Sequence, residues 1–264
     1  MGRLPEANKT LGQHFLRDQK VIGLITEDYL DKADLIVEVG PGPGALTERL
    51  SKHQKPFVVV ERDQRFQENL ALMVGADNVV MTDALHFELE AECVRRGFES
   101  NIWLVSNLPY NISVPLFLKF LLIPSIQHMT LMFQREVALK IFDFTNSKNP
   151  MGSLMALAQT YLDCRLLCQA PPGCFVPPPQ VDSTVLSFTR KEATVIPLSD
   201  FSEFETFLRR VFQFKRKQVF KILKAYYAEE KLLDALGELN LTRDRRAESF
   251  TLPEIQKLFL SLRK

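Results

Sequence analysis

The chain has 264 residues, and its 33 lysines and arginines stand against 32 aspartates and glutamates, a formal net charge of +1 at pH 7. Charges so nearly cancelled create no global field to attract nucleic acid or an anionic membrane, and 46% hydrophobic with 25% charged residues excludes a mainly disordered or collagen-like chain. A chain of this length buries a sizeable core and predicts one large domain, or one large and one small.

The N-terminus is polar, without the apolar stretch of a signal peptide, and no run approaches the roughly 18 apolar residues of a membrane span. Runs rich in β-branched residues then recur at 35–39, 57–60, 78–81, 102–106 and 129–133. Between them, 45–51, 65–73 and 114–122 have helical periodicity. Alternation of strand and helix predicts a parallel α/β sheet covered on both faces. Two later runs, 165–169 and 185–189, flank a proline-rich segment at 170–180 and are expected as an antiparallel edge pair closing the sheet.

The segment 191–200, without periodicity and containing Pro197, reads as a linker. Beyond it Phe204, Phe207, Leu208, Val211 and Phe212 begin a helical pattern, and the last helix, 252–262, is marked by Thr251 as N-cap, Pro253 in the first turn and Glu254 three residues after the cap. The domains expected are therefore 1–190 and 200–264. The four cysteines, Cys93, Cys164, Cys168 and Cys174, form no paired C-x-x-C arrangement, so reduced thiols are expected, with no zinc site and no disulfide framework.

Glycines at alternate positions in Glu38-Val-Gly40-Pro-Gly42-Pro-Gly44 sit between a strand and a helix, where the backbone turns tightly and approaches a ligand without a Cβ clash. Acids follow at successive strand ends. Glu61 comes about 20 residues past the glycines, where a carboxylate accepts from both ribose hydroxyls, and Asp83 ends the next strand, placed to accept from the exocyclic amine of an adenine. Adenosine recognition of this kind is shared by nicotinamide enzymes and by enzymes that use S-adenosylmethionine.

Asn107-Leu108-Pro109-Tyr110, at the end of the fourth strand, separates the two. It resembles the [D/N/S]-P-P-Y motif of amino-group methyltransferases, in the N-L-P-Y form of the ribosomal RNA adenine dimethyltransferases. The amine of adenine is a poor nucleophile because its lone pair is delocalised into the ring. Acceptors on its hydrogens, the Asn107 side-chain oxygen and the Leu108 carbonyl, localise that pair and point it at the methyl carbon, with Pro109 fixing the turn. Tyr110 would stack on the target adenine once it has left its RNA context. Phe175, in Phe175-Val-Pro-Pro-Pro-Gln-Val181-Asp182-Ser183, is expected as a second aromatic wall.

Lys9-Thr-Leu-Gly12-Gln13-His14-Phe15-Leu16 resembles the opening stretch of the same family, and Phe214-Lys-Arg-Lys217 and Arg246-Ala-Glu248 are similar to its later segments. With motifs in family order over nearly the whole chain, the sequence resembles the bacterial small-subunit ribosomal RNA adenine dimethyltransferases. The resemblance implies a Rossmann-like class I methyltransferase with a mainly parallel seven-stranded sheet and a small C-terminal helical domain. It implies S-adenosylmethionine as methyl donor without a metal, with His14, Leu16, Gly40, Glu61, Asp83 and Asn107 toward the cofactor and Asn107, Leu108, Tyr110 and Phe175 at the target base. The implied substrate is two adjacent adenosines in the 3′-terminal hairpin loop of small-subunit ribosomal RNA. A cytoplasmic monomer acting on the small subunit or its late precursor, with no membrane partner, is expected. The nearest rival within this chemistry dimethylates one adenine of large-subunit RNA; a ribosome-assembly binding factor is a rival from another class.

The near-zero charge also divides unevenly: residues 201–264 carry 14 basic and 9 acidic side chains, leaving 33 − 14 = 19 and 32 − 9 = 23 for residues 1–200, a split of +5 and −4. Arg209, Arg210, Lys215, Arg216, Lys217, Lys221 and Lys224, interleaved with phenylalanines, are the expected phosphate contacts.

Overall fold

The computed structural model describes residues 6–8, 12–145, 150–214 and 217–263. The chain divides into two compact units, residues 1–138 with 164–190, and residues 139–163 with 191–264.

The first unit is built on a seven-stranded sheet. Strand β1 (Phe15–Leu16) stands apart from it, and helix α1 (Gln19–Glu27) follows, capped by Asp18, whose Oδ1 accepts from the N–H groups of Lys20 and Val21 at 3.0 and 2.9 Å. Then come β2 (Leu35–Val39), α2 (Thr47–Leu50), β3 (Phe57–Glu61), α3 (Gln67–Val74), β4 (Val79–Met81), α4 (Leu89–Arg95), β5 (Ile102–Asn107), α5 (Ser113–Leu121) and β6 (Ile126–Gln134). Helices α6 (Arg135–Ile141) and α7 (Ser153–Tyr161) precede β7 (Leu162–Ala170), β8 (Phe175–Val176) and β9 (Ser183–Arg190).

The spatial order is β4-β3-β2-β5-β6-β9-β7. Strands β2 to β6 run parallel and β9 is antiparallel to β6. Every residue of β2 and β3 is buried, as expected where helices cover both faces of a parallel sheet and the strands read as unbroken apolar runs. Half-exposed β7 is an edge strand. The sheet therefore has the mainly parallel, seven-stranded form that the resemblance implies.

One pairing has no periodic signal in the sequence. β1 and β8 form their own two-stranded antiparallel sheet, with Phe15 opposite Val176 and Leu16 opposite Phe175. It joins the N-terminal motif to the proline-rich segment across the length of the unit's sequence.

The second unit is helical: α7, α8 (Phe201–Phe212), α9 (Val219–Leu223), α10 (Glu229–Glu238) and α11 (Leu252–Arg263). Phe204 and Phe207 of α8 meet Phe259 of α11 at ring distances of 5.1 and 5.5 Å. The expected cap of the last helix is present, as Thr251 N–H donates to Glu254 Oε2 at 2.7 Å and Glu254 N–H donates to Thr251 Oγ1 at 3.4 Å. The boundaries differ from those expected in one respect: 139–163 groups with the C-terminal helices, not with residues 1–190. The reason is α7, whose apolar residues lie on most of its circumference. It buries Met155, Leu157 and Tyr161 among helices, with Tyr161 5.7 Å from Phe201 and Gln256 Nε2 donating to Thr160 Oγ1 at 3.0 Å. Among the described residues, no helix is long and apolar enough to cross a membrane.

Candidate active site

A cleft lies at the carboxyl ends of β2, β3, β4 and β5, where open α/β sheets take their ligands. His14, Leu16, Gly40, Glu61, Asp83, Asn107, Leu108 and Tyr110 all line it. Gly40, Gly42 and Gly44, at φ of 69°, 55° and 94°, carry the turn from β2 to α2 in backbone conformations that side chains disfavour, and a Cβ on Gly44 would come within 2.7 Å of Met73 Sδ.

Glu61 ends β3 with its carboxylate largely enclosed. Oε2 accepts from Gly42 N–H at 2.8 Å, and Oε1 accepts from the N–H groups of Arg62 and Asp63, both at 2.7 Å. Burial pushes the Glu61 carboxyl up, and these backbone donors oppose that rise. They also fix the carboxylate against the glycine loop, leaving a second lone pair on Oε2 for a further donor. Glu38, at the end of β2, is 1% exposed, and burial pushes its carboxyl up to about 8 despite a 2.7 Å bond from Thr47 Oγ1. Asp83 accepts from Leu85 N–H at 3.0 Å and pairs with Arg62 at 3.0 Å.

The lining thus carries three carboxyl groups and one guanidinium already engaged by Asp83. That donor and acceptor set fits an adenosine bearing a cation. It does not fit a dinucleotide, whose pyrophosphate needs unopposed donors or positive charge.

The N-terminal motif crosses this cleft. Gln13 Nε2 donates to Asp63 Oδ2 at 2.8 Å, and Arg65 clamps the same carboxylate with Nε and Nη2 at 2.9 and 2.6 Å while Nη2 also reaches Gln13 Oε1 at 3.2 Å. Bonding to Arg65 holds the Asp63 carboxyl down at about 2. In the sequence, an acid two residues past Glu61, with an arginine two further on, is the only trace of this clamp, and neither residue is among the expected site residues. Lys9, Thr10 and Leu11 of the motif lie outside the described residues.

At the end of β5, Asn107 Nδ2 donates to the His14 backbone carbonyl at 3.1 Å. A carbonyl accepts only, so this bond orients the amide with Nδ2 on His14 and frees Oδ1 for a donor in the cleft. Tyr110 shares a 2.6 Å hydrogen bond between its hydroxyl and Ser183 Oγ, and burial pushes its phenol up.

Phe175 requires a correction. It is 2% exposed, sits in β8 opposite Leu16, and belongs to the hydrophobic core with Phe15, Met132 and Val185; it does not line the cleft. A ring flanked by apolar neighbours on a paired strand turns inward for burial. The aromatic side chain that does accompany Tyr110 is His14, stacked at 5.4 Å between centroids and 24° between planes.

On the helical unit, Arg209 is bonded to Glu205 at 2.5 Å and Lys224 to Glu229 at 2.5 Å. Arg210 lies over the Tyr226 ring at 4.3 Å and Lys217 over the Phe214 ring at 4.4 Å. Among the described residues, Arg210, Lys217 and Lys221 have no carboxylate at ion-pair distance; Lys215 and Arg216 lie outside them.

The family model described as ribosomal RNA adenine dimethylase matches residues 5–264. The chain is 35% identical over 260 residues to a protein of Prosthecochloris aestuarii named ribosomal RNA small subunit methyltransferase A, covering 97% of this chain and 94% of that one. The protein of the same name from Chlamydia caviae is 34% identical over 254 residues, covering 95% and 90%. In fold, the chain is similar to a dimethyladenosine transferase from Plasmodium falciparum, with a TM-score of 0.77 and 24% identity over 94% of this chain and 96% of that one. It is also similar in fold to a 23S rRNA methyltransferase, with a TM-score of 0.70 and 22% identity over 95% and 100%.

Proposed function

The chain belongs to the ribosomal RNA adenine dimethylase family, and from that premise we propose that it dimethylates the exocyclic amines of two adjacent adenosines in the 3′-terminal hairpin loop of small-subunit ribosomal RNA. The methyl donor is S-adenosylmethionine, and the reaction takes place on the small ribosomal subunit or its late precursor in the cytoplasm, with the enzyme acting as a monomer. The observation that carries the reading is the Asn107 amide in the cleft lining, whose nitrogen donates to the His14 carbonyl, which leaves the amide oxygen available as an acceptor.

Bound S-adenosylmethionine supplies an electrophilic methyl group on a sulfonium centre. Glu61 takes the ribose, Asp83 lies toward the adenine, Gly40 allows close backbone approach, and His14 and Leu16 border the cleft on the side of the N-terminal strap. Asn107 Oδ1 and the Leu108 carbonyl accept the two hydrogens of the target amine, which localises its lone pair and aims it. No strong general base is needed, because the nitrogen becomes acidic once it carries the new bond. Catalysis is mainly proximity and orientation. Tyr110, anchored through Ser183, presents its ring to the flipped base.

RNA is engaged through backbone phosphates by Arg210, Lys217 and Lys221, with Lys215 and Arg216 expected to join them. Arg209 contributes less because Glu205 competes for it. Transfer of labelled methyl groups from S-adenosylmethionine into purified undermethylated small subunits, compared with large subunits, tests the reading. Label in the small subunit alone is expected; label in the large subunit alone overturns it.

A further inference from the structure

We propose that Lys119 is a positioning residue for the methyl donor, fixing through the loop after β4 the Asp83 carboxylate that selects the donor's adenine; the inference rests on the methyl-transfer reading above. Lys119 is the single charged residue of α5, and its Nζ donates to the backbone carbonyls of Leu85 at 2.9 Å and Phe87 at 2.5 Å. A cation in the last turn of a helix ordinarily serves the helix dipole and bonds the helix's own free carbonyls. Here the carbonyls at the end of α5 are served by Arg190, whose Nη2 donates to Leu121 at 3.0 Å and to Ile123 at 2.9 Å. Lys119 reaches a different segment.

That segment needs an anchor. β4 has three residues and, as the last strand on its side of the sheet, pairs with β3 alone. From Thr82 to Glu88 the chain runs as turn and irregular structure to α4. Asp83 Oδ1 accepts from Leu85 N–H at 3.0 Å and the Asp83 carbonyl accepts from His86 N–H at 3.0 Å. These bonds shape the turn, and neither holds it against the rest of the unit. Arg62 reaches Asp83 Oδ2 at 3.0 Å, but its side chain is 61% exposed, and an ion pair so open to water contributes little. The Lys119 side chain is half-buried; burial pushes its pKa down, and the charges of Glu88 and Asp83 oppose that fall. Bonds from a charged donor shielded from water are the strong ones.

Both ends of this clamp border the cleft. Asp83 and Ala84 line it on the loop side, and Leu116, one turn before Lys119, lines it on the helix side. Leu116, Phe117, Phe120 and Leu121 are buried, which makes α5 a firm support. Asp83 has engaged one lone pair with Leu85 and another with Arg62, and which of the remaining ones faces an adenine amine depends on how the loop is set against α5. A site that accepts from an amine rejects a purine lacking it, because the acceptor is then left unpaired. The helix also follows directly on the Asn107–Tyr110 turn, so the donor's adenine and the target amine are located from one element.

The test uses S-adenosylhomocysteine, the product left by the donor, and S-inosylhomocysteine, which carries an oxygen in place of the adenine amine. Calorimetry without RNA gives the affinity of the full chain for each, and thermal unfolding reports that each variant is folded. Wild type is expected to prefer the adenine compound. Lys119→Met, which keeps the apolar stem and loses the charged donor, should reduce that preference about 10-fold, the adenine compound weakening while the inosine compound stays within about twofold. Lys119→Arg, which keeps a charged donor, should retain the greater part of the preference. In an Asp83→Asn background Lys119→Met should change the preference no further, since its effect passes through that carboxylate. Equal weakening of the two compounds in Lys119→Met, which a merely structural role would give, or an undiminished preference, overturns the proposal; should Lys119→Met not fold, the shorter neutral side chain of Lys119→Gln carries the same expectation. Wild-type chain that binds the two compounds alike overturns the assignment of Asp83 to the adenine and the proposal with it. Wild-type chain that transfers no label to small subunits defeats the methyl-transfer reading itself, so the two failures are distinguishable.

Discussion

In the cleft, the carboxyl groups of Glu38 and Glu61 are buried, that of Asp83 is partly buried, and each already accepts a hydrogen bond, while on the helical unit Arg210, Lys217 and Lys221 stand without carboxylate partners among the described residues. The first arrangement stores geometry: polar groups shielded from water hold one position, and a small displacement is costly. The second stores charge. Long cationic side chains of this kind keep many conformations, and their attraction for an anionic partner is screened by salt. Substitutions in the two regions should therefore be read on different scales, as rate and affinity at fixed conditions in the cleft, and as a dependence on ionic strength on the helical surface.

The sharpest way to break this contrast is Asn107→Ala. Removing the acceptor at the amine should lower single-turnover methyl transfer about 100-fold or more with donor affinity nearly unchanged; wild-type turnover would place the chemistry elsewhere. Glu61→Gln keeps the shape of the carboxylate and removes its charge, and should weaken S-adenosylmethionine binding about 10- to 100-fold, the range of a hydrogen bond to a charged group. Calorimetry showing equal affinity would remove Glu61 from the ribose.

Glu38 gives a smaller effect with a definite sign. Burial holds its carboxyl at about 8 in the folded chain against 4.5 for an ordinary glutamate, so the folded state binds a proton that the unfolded state has released. That contribution to stability is fully present below pH 4.5 and is lost as pH rises toward 8, at up to about 1.4 kcal/mol per pH unit. Denaturant titrations of Glu38→Gln between pH 5 and 8 should show a flatter profile than wild type, and parallel profiles would mean that Glu38 titrates normally. The smallest single effects belong to the helical surface. Lys217→Ala and Lys221→Ala should each reduce the slope of log affinity for RNA against log salt by about one, and Arg209→Ala by less, since Glu205 holds it. Equal slopes for all three would dissolve the distinction between paired and unpaired cations.

Much of the cleft is legible in the sequence because its residues follow strands. A run such as Phe57 to Val60 fixes a buried strand, the next polar residue falls at its end, and parallel strands bring those ends together, so Glu38, Glu61, Asp83 and Asn107 converge without further information. What escapes is whatever depends on contacts with no period of their own. Two-residue strands such as β1 and β8 have no pattern to recognise, and so neither the inward turn of Phe175 nor the stacking of His14 on Tyr110 can be foreseen. Helix α7, apolar nearly all round, gives no direction in which to dock, which hides its grouping with α8 and α11. By contrast the Arg209–Glu205 pair follows the four-residue spacing of a helix face and is open to sequence reading, although the Arg209 charge taken alone points only to phosphate.

The β1–β8 pair also orders events in time. Leu16 and its partner Phe175 are separated by most of the first unit's sequence, so a growing chain synthesises the glycine loop, Glu61 and the Asn107 turn long before the segment that secures the N-terminal strap exists. Closing so long a loop carries an entropic cost that grows slowly with length but is met only when both ends are present. The floor of the cleft can form early in synthesis; its N-terminal side is fastened only once Phe175 and Val176 have been made.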